Sequence, residues 1–235
     1  MRGVAATVIG LVAAGALFGC DIPQDPDGTL DRVTGGTMRV GATEADPWVT
    51  LEGGEPTGGV EVELVRRFAR DLDARVEWID GSEEELVEAA KEGSLDLVIA
   101  GITRKSRWQK DVAFTRPYAE SKIVIAARPG QAARDDFDGL RVAAERGSTE
   151  EALLENKTDA LVEPVDSLAE VDGPLAAHEY VLDDLGLEPS EVELEKEQHV
   201  MALPLGENAW LVRLERFLLH REREIERLLT REGRP

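Results

Sequence analysis

From residue 37 onward the chain alternates short apolar runs with segments whose apolar positions recur every three to four residues. Residues 38–42 read as a strand, and residues 60–72 place Val60, Leu64, Val65, Phe68 and Leu72 on one helical face. Residues 74–79 read as a second strand. Ser82 with Glu85 three residues later forms a capping box that opens a helix through Lys91, and Gly93 supplies its stop. Residues 95–100, Leu-Asp-Leu-Val-Ile-Ala, form an almost unbroken apolar run of strand length, which predicts a strand covered on both faces. A further strand is predicted at 123–127. One long helix is predicted over 208–231, with Trp210, Leu214, Phe217, Ile225 and Leu228 among its apolar positions and a solvated charged face. This alternation of strands and helices predicts an α/β architecture.

The first twenty residues follow a different pattern. Arg2 precedes an apolar run over residues 4–18, which stops at Gly19-Cys20. That is the layout of an export signal, here residues 1–19. The run is short of the roughly twenty residues that span a bilayer. Its alternative is a buried apolar helix with a chance cysteine. Residues 20–36 are rich in Asp, Pro, Gly and Thr without apolar period, and read as a flexible tether.

Charge and composition then exclude several classes. Acidic residues number 48 against 27 basic ones, a net charge of -21. A surface of that sign repels a phosphate backbone, so no nucleic-acid partner is expected. With 42% hydrophobic residues the chain is not disordered by composition. The acidic load fits a salt-rich habitat, where counter-ions screen self-repulsion, and equally an acidic protein of ordinary surroundings. His178, His199 and His220 lack metal-type spacing, so no metal is expected. Cys20 is the only cysteine, and no Gly-x-Ser-x-Gly or phosphate-loop pattern occurs. The expectation is a non-enzymatic protein without cofactor.

Several short motifs stand in a fixed order: Arg39-Val40-Gly41 with Pro47-Trp48, then Gly59-Val60-Glu61-Val62-Glu63-Leu64. Leu95 through Gly101-Ile102-Thr103 follows, then Phe114-Thr115-Arg116-Pro117-Tyr118, Arg146-Gly147-Ser148-Thr149 and Asp172-Gly173-Pro174-Leu175-Ala176-Ala177. In that order the chain resembles the extracytoplasmic solute-binding proteins of amino-acid ABC transporters, family 3. Leu17-Phe18-Gly19-Cys20 likewise resembles the lipobox of bacterial lipoproteins, which implies a lipidated Cys20 and a protein tethered outside the cytoplasm. The resemblance implies a two-lobed periplasmic-binding-protein fold of type 2. Lobe one would comprise residues 37–120 and 198–235, lobe two residues 125–197, with ligand in the cleft and closure by hinge motion. It implies an ABC permease as partner, a small-molecule ligand, and a monomer that meets the membrane only through its lipid.

The same resemblance places the site. Gly101 and Thr103 match positions that bond ligand, or merely form the turn after a strand. Trp48 matches a cleft aromatic, with a core tryptophan as the alternative. Ser148 and Thr149 offer backbone N–H groups at a helix start, or serve only as its cap. Asp172 matches the carboxylate that pairs with a ligand ammonium. The arginine that clamps ligand carboxylates in relatives is replaced by Trp108, with Arg107 beside it. Trp108 is then a cleft wall or inter-lobe packing, and Arg107 a displaced clamp or a surface residue. An aromatic usual in relatives is replaced by the acidic run Glu83-Glu84-Glu85, and lobe two looks shortened between Ser167 and Asp172. The positive cluster Arg104, Lys105, Arg107 and Arg116 favours an anionic or zwitterionic, amino-acid-like solute. The alternative is an envelope lipoprotein that transports nothing and presents the same fold to a protein partner.

Overall fold

The structure, a computed structural model, describes residues 25–132 and 136–232. Cys20 and the apolar run before it lie outside the described residues. The chain forms two α/β lobes. In the first, α1 (Thr29–Val33) leads into β1 (Thr37–Ala42), a β2–β3 hairpin (Thr50–Glu52 and Glu55–Gly58), α2 (Val60–Asp71), β4 (Arg75–Asp80), α3 (Glu83–Lys91), β5 (Leu97–Ile99) and β6 (Ala113–Phe114). In the second, β7 (Ala119–Ala127) is followed by β8 (Arg141–Glu145), α4 (Thr149–Lys157), β9 (Leu161–Val165), β10 (Leu175–His178), α5 (Leu182–Leu185) and β11 (Glu188–His199). The chain then returns through β12 (Ala202–Leu203), α6 (Asn208–Leu218) and α7 (Glu222–Glu232).

The first sheet has the order β4-β1-β5-β12-β6 and the second β11-β7-β10-β8-β9. Strands β4, β1 and β5 are parallel, while β12 runs antiparallel to its neighbours. The connection between lobes is the antiparallel pair β7 and β11, matched from Ala127 with Glu188 to Ala119 with His199. Chain direction therefore carries the polypeptide into lobe two at Ala119 and out of it at His199.

Packing follows the apolar pattern. Met38, Val40, Phe68, Leu97, Ile99 and Trp210 are fully buried between the first sheet and α2, α6 and α7. The second sheet buries Ile123, Ile125 and Leu154 under α4 on one face, and Val124, Ala126 and Leu182 under α5 on the other. Each Val, Leu, Ile, Phe or Met among them contributes about 1.5–3 kcal/mol relative to exposure. The Ser82 capping box forms, with Ser82 Oγ accepting from Glu85 N–H and Glu85 accepting from Ser82 N–H.

Three expectations need correction. Residues 29–33 are α1 rather than tether, because Thr29 and Val33 are buried and the Thr29 N–H donates to Glu207 across the fold. The C-terminal helix is two helices, parted over 219–221, where Arg221 N–H bonds Leu218 C=O and its guanidinium meets Glu224 at 2.9 Å. That turn aims Ile225, Leu228 and Leu229 at the core. The run at 95–100 is strand only over 97–99, since Asp96 is buried with its carboxylate engaged by Arg32 and Arg39. Between β9 and β10 there is one 3-10 turn, Leu168–Glu170. Among the described residues no helix is long and apolar enough to cross a membrane.

Candidate functional site

The carboxyl ends of β5 and β8 face each other across the junction of the lobes, the usual place for a ligand in open α/β sheets. There a groove of about 570 Å³ is lined by Thr103, Arg104 and Gln109 of lobe one and Thr149 and Leu153 of α4, over a floor of residues 195–198. Ser148 caps α4, its hydroxyl accepting from Glu151 N–H at 3.1 Å, and so fixes Thr149 at the groove edge. Glu151 in turn accepts the Gly147 N–H. Thr103 pairs with His199 through the backbone.

Gly101, two residues before Thr103, packs against Trp48 and His199, at the base of the loop that carries Thr103 and Arg104. Gly101 has φ 61°, and its Cα lies so close to Trp48 that an added Cβ would sit 2.8 Å from the indole Cδ1. Its N–H donates to Glu61 Oε2 at 2.9 Å, and its C=O meets His199 Nδ1 at 3.3 Å. Both backbone groups of Gly101 are thus engaged inside the protein. Trp48 is only 5% exposed, stacks on His199 with ring centroids 3.8 Å apart, and meets Tyr118 edge-on at 6.0 Å. Trp48 is a core residue here.

Two buried groups in this base have displaced acidities. Burial pushes Glu61 up to about 7, against the opposing pull of the Gly101 N–H, the Tyr118 hydroxyl and the Ala100 N–H. Burial also pushes His199 down to about 4, which leaves it neutral. A carbonyl can only accept, so the single ring proton of His199 sits on Nδ1. Nε2 then accepts from Ser121 Oγ at 2.8 Å, with Glu197 Oε2 3.8 Å away.

Arg107 and Trp108 face α3 rather than the groove. The Trp108 indole N–H donates to Glu83, and the Arg107 guanidinium lies 4.1 Å over the indole with Glu84 at 3.3 Å. The acidic first turn of α3 draws both donors to itself. Lys105 pairs with Glu195, whereas Arg104 has no ion pair among the described residues. Asp172 lies before the amino end of β10, 94% exposed and paired with Arg128 at 2.6 Å. The cleft is at the opposite end of that strand, where His178 stands.

His178 opens a cluster that sequence reasoning missed. It stacks on Tyr180 at 4.8 Å, its Nε2 is 3.5 Å from Glu150 Oε1, and its Nδ1 is buried with no hydrogen-bond partner among the described residues. Burial raises the Tyr180 phenol, and the charges of Glu150, Glu197 and Asp46 raise it further. Of these carboxylates, Glu150 of α4 meets the aromatic pair directly, through His178. The Leu-Ala-Ala-His run of β10 was the available signal, since its last residue must end at the cleft. Among the described residues no group of three or more His, Cys, Asp or Glu is placed to hold a metal ion.

Comparison with known proteins gives this geometry a context. Residues 38–226 match the family described as bacterial extracellular solute-binding proteins, family 3. Over 157 residues the chain is 33% identical to membrane-bound lytic murein transglycosylase F of Pseudomonas fluorescens (strain Pf0-1), covering 63% of this chain and 32% of that protein. It is 24% identical over 112 residues to ABC transporter arginine-binding protein 1 of Escherichia coli (strain K12), covering 47% of this chain and 46% of that one. The matched segments thus span a third to about half of these relatives. Among solved structures it is similar to an ancestral cationic amino acid solute binding protein, AncCDT-1, with TM-score 0.70, 19% identity, and coverage of 86% and 98%. It is also similar to the unliganded open L-cystine receptor of Neisseria gonorrhoeae, with TM-score 0.66, 20% identity, and coverage of 83% and 92%. With the family matched over most of its length and the two-lobed fold in agreement, the chain belongs to the bacterial extracellular solute-binding proteins, family 3.

Proposed function

We propose that this protein is the solute receptor of an ABC importer, held outside the cytoplasm by a lipid on Cys20, and that its solute is amino-acid-like with a cationic group. The observation that carries the reading is the His178–Tyr180 stack at the junction of the lobes, with Glu150 3.5 Å from His178 and Glu197 on the groove floor. Such a set favours an ammonium or guanidinium, through carboxylates and an aromatic face together. Arg104, without an ion pair among the described residues, supplies the positive edge for the solute's carboxylate, in place of the clamp that Trp108 lacks. Lobes formed by residues 37–120 with 198–235 and by 125–197 would close over it, driven only by the solute's greater affinity for the closed state. A wholly anionic solute fits this cluster poorly.

A second reading rests on the similarity to murein transglycosylase F: a module of this fold that serves a cell-wall protein and imports nothing. Calorimetry of the purified protein with L-arginine and L-glutamate separates the two. Arginine binding that Glu150→Gln or Glu197→Gln weakens about tenfold or more, as loss of a charge-assisted hydrogen bond requires, supports the receptor. Preference for glutamate would contradict the acidic cluster, and no binding of either would favour the second reading.

A further inference from the structure

Glu61 is a fully buried carboxylate with no ion pair among the described residues. It lies in the first turn of α2, and its two oxygens reach different parts of the machinery. Oε2 accepts the Gly101 N–H of the loop that carries Thr103 and Arg104 into the groove. Oε1 accepts the Tyr118 hydroxyl at 2.7 Å, one residue before β7 enters the hinge. On the far side of Gly101, His199 of β11 holds the carbonyl of the same residue. The groove loop is therefore gripped between one titratable side chain from lobe one and one from the hinge.

Charges on the neighbouring elements are engaged elsewhere. On α2, Glu63 pairs with Arg66 at 3.1 Å, and Arg67 pairs with Glu224 of α7. Glu232 of α7 accepts the Gly59 N–H at 3.3 Å. Beyond His199 stand Glu197 of β11 and His178 of β10, and Tyr118 is held in its neutral form by burial and by Glu61 itself.

We infer that Glu61 is a positioning residue that fastens the groove loop to the hinge, gripping the Gly101 N–H with one oxygen and the Tyr118 hydroxyl with the other, and that this grip opens more readily once the carboxyl is ionised in its water-free site. The chemistry permits both states. Of the donors aimed at Glu61, two are backbone N–H groups that can only donate, while the Tyr118 hydroxyl can turn round and accept the carboxyl proton. The direction follows from linkage. An opening that hydrates Glu61 returns it from about 7 to its ordinary 4.5, so opening becomes easier as pH rises through 7. Only the consequence for solute affinity, proton uptake on binding, rests on the receptor reading; the grip itself exists without solute.

The test therefore uses the solute-free full chain. Hydrogen exchange of a peptide spanning residues 99–104, corrected for intrinsic rates, is expected to show about tenfold more frequent opening at pH 8 than at pH 6 in the wild type. In Glu61→Gln the opening should not depend on pH. A wild type that is flat across this range, or a variant that keeps the slope, overturns the inference. Infrared titration gives an independent readout if the variant does not fold. Surface carboxyls are already ionised above pH 6, so a protonated-carboxyl band that grows as the wild type is taken from pH 8 to pH 6 supports a buried proton on Glu61, and its absence refutes it.

Discussion

Asp96→Ala is expected to lower stability by about 2–3 kcal/mol, the cost of losing charge-assisted hydrogen bonds to a buried carboxylate while the half-exposed Arg32 and Arg39 regain water. The Asp96 side chain is 1% exposed and accepts from Arg39 N–H at 2.8 Å, Arg39 Nη2 at 2.6 Å and Arg32 Nη2 at 2.5 Å. It ties α1 and β1 to the start of β5, while Trp210 donates its indole N–H to the Asp96 carbonyl at 2.8 Å. Burial alone would raise this carboxyl, but the two arginines overcome it and hold it below its ordinary 3.8. A depressed native value means the contribution is present above pH 3.8 and is lost as pH falls through the native value. Urea unfolding at pH 7 and at pH values below 3.8 checks both points: the difference between Asp96→Ala and wild type should shrink as the pH is lowered. A variant as stable as wild type at pH 7 would show that β5 is not held this way.

Gly101→Ala is expected to cost about 3 kcal/mol, from two separate causes. A left-handed φ costs a residue with a Cβ about 1–2 kcal/mol, and the added methyl would sit 2.8 Å from Trp48 Cδ1 and 3.2 Å from Cγ. Overpacking of that kind costs about 1–3 kcal/mol. Trp48 cannot move away without leaving its stack on His199, so the effect reaches the hinge. Thermal unfolding should fall by several degrees, at roughly 2–4 °C per kcal/mol for a chain of this size. An unchanged melting temperature would show that neither the left-handed turn nor the Trp48 contact constrains this position.

What could be read from sequence was what is decided locally. The Ser82 capping box, the face of α2 and the buried Leu97–Ile99 strand follow from residues within a few positions of one another. The order of short motifs was enough for the two-lobed fold. The misreadings share a different cause. Helix α1 is too short to show a period and is held by Glu207 from the other end of the chain. Trp108 turns from the groove because Glu83, twenty-five residues earlier, accepts its indole N–H. Asp172 was placed in the cleft by the resemblance, in which it matches the carboxylate that pairs with a ligand ammonium, yet β10 starts after it and ends at His178. The Glu150–His178–Tyr180 contact was hidden because Glu150 and His178 are far apart in sequence in a chain full of carboxylates, and only the parallel pairing of β8 with β10 sets the start of α4 beside the end of β10.

The most direct test of the receptor reading is a thermal-shift comparison of the purified protein with cationic, zwitterionic and anionic amino acids. A solute at a hundred times its dissociation constant adds about 2.7 kcal/mol to the folded state. The account predicts a selective rise of several degrees with arginine, lysine or a similar cationic solute. A rise with aspartate or glutamate alone, or none with any amino acid from a well-folded protein, would contradict it.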